Sequence, residues 1–264
     1  MITNNPFSDL SDIISPFAMQ GFVIAMIALV AIGTLIDIIH KKNVKYFFDN
    51  AKKAKKSAKI ELTSTQRTSV ILKTVAHDIA TTAELGRGKR RVAHVLGMYG
   101  TIIFWVTSAL LIFSFPTAGS STPSSLTIMW HVGAIMTCLG GFWFWLFLRV
   151  DVLAEAHPWY RIIKADLFVL ALLACATFGL AWSYTQFSGM TELSYLFLVL
   201  YITSNLVLFG GVYWSKFAHM FYKPGAAIQK NLAEADGSRD NLPPLADAPK
   251  QFGLGIKREQ PKHY

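Results

Sequence analysis

The chain has 264 residues, 53% of them hydrophobic and 16% charged, with a formal net charge of +9. Its mean hydropathy is +0.38 and its pI is near 9.5. A soluble domain spreads its charge along the chain, whereas here Lys and Arg stand in blocks divided by long runs that contain neither, which excludes an ordinary soluble fold.

In chain order, five runs are long enough to cross a hydrocarbon core, which takes roughly 20 helical residues. They are about 17–39, 92–115, 126–148, 167–187 and 193–215, all free of Lys and Arg. The first is too long for a signal-peptide core, follows no basic segment and lacks a convincing cleavage site, so it is expected to stay as a helix. Between it and the second run lies "VKYFFDNAKKAKKSAKIEL", a basic helix with Tyr46, Phe47 and Phe48 near its start, suited to a membrane surface. Next, "STQRTSVILKTVAHDIATTAEL" carries an apolar stripe at Ile71, Val75, Ile79 and Ala83, with Ser64 or Thr65 as its N-cap and Gly86 after its last apolar turn. That stripe serves either to pack on the ends of the spans or to dock a soluble partner. From Pro224 onward the chain is rich in Pro, Gly, Ala, Asp and Lys, and is expected to lack a core and to order only on a partner.

Fold class follows: an all-α integral membrane bundle of five transmembrane helices. Its parts are the N-terminal tail and first span (1–39), a basic segment (40–91), a four-helix membrane bundle (92–223) and a tail (224–264). Fourteen of the 25 basic residues fall in 40–91, three in 149–166 and eight from Lys216 onward. Five crossings put all of them on one side. The positive-inside rule then places the N-terminus outside and the C-terminus in the cytoplasm. Basic loops beside anionic lipid account for the high pI without nucleic acid. Cys138 and Cys175 lie mid-span with no CxxC or CxxxCP spacing, so this chain holds no iron–sulfur cluster of its own.

Seven histidines divide by depth. His40, His77, His157 and His263 fall in loops or the tail, whereas His94, His131 and His219 stand at membrane depth, where an ionisable side chain is costly and faces the interior. Counting from Leu193 along a continuous helix, His219 lies about 39 Å further on, at the level of His94. Two imidazoles at one depth on antiparallel helices can hold one metal, and a b-type haem suits a bundle interior. Arg90, Arg91, Lys216 and Lys223 would meet its propionates, and Gly97, Gly100, Gly210 and Gly211 would leave room for the ring. The competing reading is two boundary histidines bonded to lipid headgroups.

The stretches "RRVAHVLGMYG" and "YWSKFAHMFYKP" resemble the membrane cytochrome b subunits of heterodisulfide-reductase-related complexes. These include the quinone-interacting oxidoreductase complex and, more distantly, the gamma subunit of respiratory nitrate reductase. With "DIIHKKNVKYFFDNAKKAKKSAK", the likeness is greatest to the membrane anchor associated with adenylylsulfate (APS) reductase in sulfur-oxidising bacteria. The resemblance implies that His94, in Arg-x-x-His, and His219, in Lys-Phe-x-His, are axial ligands of an inner haem. The outer stretches "LIFSFP" and "SYLFLVLYIT" lack the further histidines of two-haem relatives, so one haem is expected. The resemblance further implies a multi-pass subunit of the bacterial inner membrane, passing electrons between a cytoplasmic iron–sulfur flavoprotein, APS reductase, and membrane quinone. Tyr99, Asn205, Asp166, His131 and Trp130 are the candidates for a quinone site or proton path. Asp166 serves equally well as a helix cap, His131 as a satisfied interior histidine, and Trp130 and Trp182 are expected in an aromatic belt. A haem-free anchor or small transporter is the alternative from another class.

Overall fold

The computed structural model describes residues 1–85, 88–149, 160–238, 251–252 and 256–257. Apart from a two-residue antiparallel pairing of β1 (Gln251–Phe252) with β2 (Ile256–Lys257), the regular structure is helical. Five helical stretches are long and apolar enough to cross a membrane: Pro16–Lys41, Lys89–Ser114, Ser124–Leu148, Lys164–Phe187 and Thr191–Gly210. The chain is therefore an all-α, multi-pass membrane protein. It forms two compact units, Met1–Asp37 with Lys89–Ala218, and Ile38–Gly88 with His219–Tyr264.

The first unit holds α1 (Pro6–Leu10), most of α2 (Pro16–Lys41), α5 (Lys89–Ser114), α6 (Ser124–Trp143), α7 (Leu167–Phe187) and α8 (Thr191–Gly210). Small residues set its closest helix pair. A Cβ on Gly100 of α5 would lie 2.6 Å from the Thr137 nitrogen of α6, and one on Gly140 would lie 2.4 Å from the Gly97 nitrogen. Lipid supplies no hydrophobic drive between helices, so bare backbone that permits this approach is what makes α5 and α6 adhere. Across α7 and α8, Gly179 faces the Tyr201 ring at 3.2 Å, and Trp182 stacks on Tyr201 with centroids 5.8 Å apart.

At one end of this unit α1 inserts Phe7 edge-on between Trp130 and Trp182, at 5.8 and 5.4 Å. Asn5 fixes the plug: its Oδ1 caps the Phe7 N–H, and its Nδ2 donates to the Phe115 carbonyl at 2.9 Å. Gln186 Nε2 donates to the Pro6 carbonyl. Trp130 and Trp182 are consequently interior residues, 0% and 1% exposed, which corrects the expected aromatic belt. An indole belt forms where the N–H needs interfacial partners; Trp130 instead donates to Ser108 Oγ at 2.8 Å inside the bundle. By contrast α2 buries only Met19, Met26 and Asp37, touching its unit through Gly33 on Val212.

The second unit holds α3 (Asn43–Lys56), α4 (Ser64–Lys73) running into a π-helical turn (Thr74–Ile79), a 3-10 turn (Ala83–Leu85) and α9 (His219–Ala235). The cap of α4 is Thr63, one residue earlier than expected, closing a capping box with Gln66. Gly86 lies outside the described residues. The inward position at the start of the π turn is Thr74, which is buried, and not Val75, which is exposed. Asn231 of α9 then donates to Thr74 Oγ1 at 2.9 Å and to Asp78 Oδ2 at 2.6 Å. Lys59 N donates to the Asp236 carbonyl at 2.9 Å, tying the α3–α4 link to the end of α9.

Two boundaries differ from the sequence reading. The last span ends at Gly210, not near 215, because Gly210 and Gly211 together weaken the helix and turns follow. The chain then re-enters a helix at His219 that continues through Pro224 to Ala235, where a coreless tail was expected. Pro224 costs only the bond to the carbonyl four residues back, near the start of α9, and Ala227, Leu232 and Ala233 are buried. The rest of the tail expectation falls largely on 239–264, outside the described residues but for the β pairing.

Candidate functional site

The charged end of α5 opens a membrane-crossing helix. The helix starts at Lys89, so Arg90 and Arg91 stand in its first turn and His94 in its second, exposed. Arg90 donates to the Leu148 carbonyl at 3.4 Å, at the end of α6's π-helical extension (Phe144–Leu148). Thus one of the cations expected at a propionate already satisfies a helix C-terminal carbonyl. Lys216 is exposed on the turns after α8, and Lys223 is exposed on α9.

His219 opens α9, half-buried. Since α8 stops at Gly210, the helical rise that set His219 level with His94 does not run continuously between Leu193 and His219. His94 belongs to the first unit and His219 to the second.

The four glycines divide. A Cβ on Gly97 or Gly210 would meet nothing within 4 Å, so each leaves open space beside its backbone. Gly100 does not: α6 occupies its flank. Gly211 closes the end of α8, with its own Cβ position 2.5 Å from the Val207 carbonyl. Gly97 thus leaves room beside its own stretch of α5, while Gly100 and Gly211 are helix-packing and helix-ending residues.

The candidates for quinone or proton transfer are mostly engaged. Asp166 is buried in an ion pair with Arg149 and its Oδ2 also accepts the Ile163 N–H at 2.9 Å. Arg149 donates to the Arg161 carbonyl at 2.6 Å and lies 4.1 Å over the Trp145 ring. This geometry is that of a helix cap and a clasp across the α6–α7 connection. His131 is 1% exposed; one ring nitrogen faces the Thr127 carbonyl at 2.8 Å and the other Ser183 Oγ at 2.9 Å. A carbonyl only accepts, so Nδ1 carries a proton, and both ring nitrogens have partners. Asn205 donates to the Tyr201 carbonyl at 2.8 Å. Tyr99 is exposed on α5. His157 lies outside the described residues.

Sequence reasoning missed an aromatic cluster that joins Trp105, in the middle of α5, to residues at and beyond the end of α8. Phe217 is buried and stacks near-parallel on Trp105 at 6.0 Å, while Phe209 and Phe168 meet it at 6.0 and 5.4 Å. Trp105 also meets Phe209 at 5.2 Å. The "Lys-Phe-x-His" stretch held the clue, since a phenylalanine one residue beyond a charge is either lipid-facing or buried, and spacing alone does not choose. Among the described residues, no group of three or more His, Cys, Asp or Glu side chains is placed to hold a metal ion. Comparison with family models, with curated proteins and with solved structures finds no match.

Proposed function

We propose that this protein is a membrane anchor and electron-transfer subunit, carrying one b-type haem between His94 and His219 near the cytoplasmic face. It would pass electrons between a cytoplasmic iron–sulfur flavoprotein and membrane quinone, the partner being APS reductase working in the sulfite-oxidising direction. The observation that carries this reading is His94 itself: an exposed imidazole one turn beyond Arg90 and Arg91 on a membrane-crossing helix, with open space beside Gly97. When bound, the haem supplies a one-electron carrier that takes neither proton nor substrate. The imidazoles of His94 and His219 provide the iron-binding nitrogens, and Arg91, Lys216 and Lys223 provide counter-charge for two propionates. The exposed lysines of α3 present a cationic surface that steers an acidic soluble partner.

A haem-free anchor is the second reading, favoured by the direct backbone contact of α5 with α6 at Gly100 and Gly140, which fills the space first assigned to a ring. A dithionite-reduced minus oxidised spectrum separates them. The wild type is expected to show an α-band that His94→Ala and His219→Ala each abolish. A band unchanged in both variants overturns the ligand assignment, and a wild type without a band supports the haem-free anchor.

A further inference from the structure

Every polar group at hydrocarbon depth needs a partner inside the protein, because lipid tails offer none. Trp130 has Ser108, His131 has Thr127 and Ser183, and Asn205 has the Tyr201 carbonyl. Trp105 does not: its Nε1 is buried and has no hydrogen-bond partner among the described residues. The hydroxyls of Thr34, Thr82 and Ser238 share that condition, but a hydroxyl can rotate to find an acceptor. A rigid indole has one donor and one direction for it.

Depth limits what can answer that donor. The apolar run of α5 is about 92–115, so Trp105 stands within roughly 3 Å of its midpoint. Phospholipid ester carbonyls sit at the edge of a core about 30 Å thick, some 15 Å from the middle, and do not reach. A lipid-soluble molecule that brings a carbonyl into the hydrocarbon can supply the acceptor at this depth. Its surroundings specify shape as well. The Trp105 face lies against Phe217 and Phe209, planar aromatic walls suited to a planar ring. Phe217 is on the turns between α8 and α9, not on a helix. At the end of α8, a Cβ on Gly210 would meet nothing within 4 Å.

We infer that Trp105, with Phe209 and Phe217, forms the binding site for the head group of a lipid quinone, one quinone carbonyl accepting from the indole N–H. The inference deepens the quinone half of the proposed function and rests on it, but not on the haem. It replaces Trp130, His131 and Asp166, whose polar atoms are already engaged.

The test is isothermal titration of the full-length protein in nanodiscs with decylubiquinone and, separately, menadione. Trp105→Phe keeps a ring and removes only the donor, and is expected to bind at least one of the two about tenfold more weakly, the size of one hydrogen bond in a dry site. Trp130→Phe, whose N–H is engaged by Ser108, is expected to bind as wild type. The infrared carbonyl stretch of the bound quinone should lie at lower frequency in wild type than in Trp105→Phe. Absence of saturable binding to wild type, or equal affinities and equal carbonyl frequencies in wild type and Trp105→Phe, overturns the inference. Because binding is read without reference to the α-band, loss of the haem reading and loss of this one are separate results.

Discussion

At the level of single residues, the glycines carry opposite consequences that only their surroundings decide. Gly140 and Gly21 both lie in membrane-crossing helices, and alanine is the better helix former by about 0.5–1 kcal/mol. At Gly21 the new methyl would meet nothing within 4 Å. At Gly140 it would lie 2.4 Å from the Gly97 nitrogen and 2.5 Å from the Ala93 carbonyl oxygen, both backbone atoms that cannot turn away. Gly140→Ala must push α5 and α6 apart, so it is expected to cost about 1–3 kcal/mol as overpacking does. Thermal melts followed by circular dichroism should show a lower midpoint for Gly140→Ala and an equal or higher one for Gly21→Ala. The buried Arg149–Asp166 pair is a second such case. Arg149→Gln leaves the Asp166 carboxylate without its counter-charge, a change that costs about 3–5 kcal/mol when one partner of a buried pair is removed. The same melts check it, and a midpoint equal to wild type would show the clasp to be dispensable.

The elements of the second unit are joined by a small set of polar contacts, and one of these is pH-dependent. Hydrogen bonds from His77 and then Asn231 hold the Asp78 carboxyl below its ordinary value of 3.8, against a smaller opposing effect of burial. A carboxyl whose folded value is depressed stabilises the fold fully above its unfolded value, and the contribution fades as pH falls through the folded one. Hydrogen exchange of the α9 amides near Asn231 should therefore stay slow above about pH 4, where a free aspartate has lost its proton, and opening should become more frequent below it. In Asp78→Ala the opening should be raised at neutral pH and lack that acid step. This contact shows why some elements are legible in sequence and others are not. Long apolar runs declare α2, α5, α6, α7 and α8 because span length and absence of charge suffice. The π turn is not declared, since its inward residue, Thr74, is chosen by Asn231, 157 positions away. Nor is the α1 plug, whose Asn5 partners lie at Phe115 and Thr122. The end of α8 was written in Gly210–Gly211, but "VYWSKFAH" continues apolar and masks it. His94 and its neighbouring arginines could be singled out from spacing; Trp105 could not, because an indole's lack of a partner exists only in three dimensions.

For the molecule as a whole, the five crossings make the charge pattern a statement about orientation. All 25 Lys and Arg fall outside the membrane-crossing cores, in segments that an odd number of spans gathers on a single side. The opposite side, with residues 1–16, the loop after α5 and the loop after α7, carries acids but no Lys or Arg. Translocating fourteen cations between the first and second spans would oppose both the membrane potential and the anionic inner leaflet, each cation adding about 1 kcal/mol of attraction to the inner surface. The N-terminus is thus expected outside. Two engineered cysteines test this. Cys138 and Cys175 lie within spans and can be replaced by alanine, after which Thr3→Cys and Lys53→Cys each report one side from an exposed position. With a membrane-impermeant maleimide on bacterial spheroplasts, Thr3→Cys should label in intact cells and Lys53→Cys only after permeabilisation. The reverse pattern would put α3, the cationic surface and the end of α5 bearing His94 outside the cell. A cytoplasmic flavoprotein could not then reach the proposed haem site, so the electron-transfer reading would fall with the orientation, while the proposed quinone site at Trp105, near mid-depth, would be untouched.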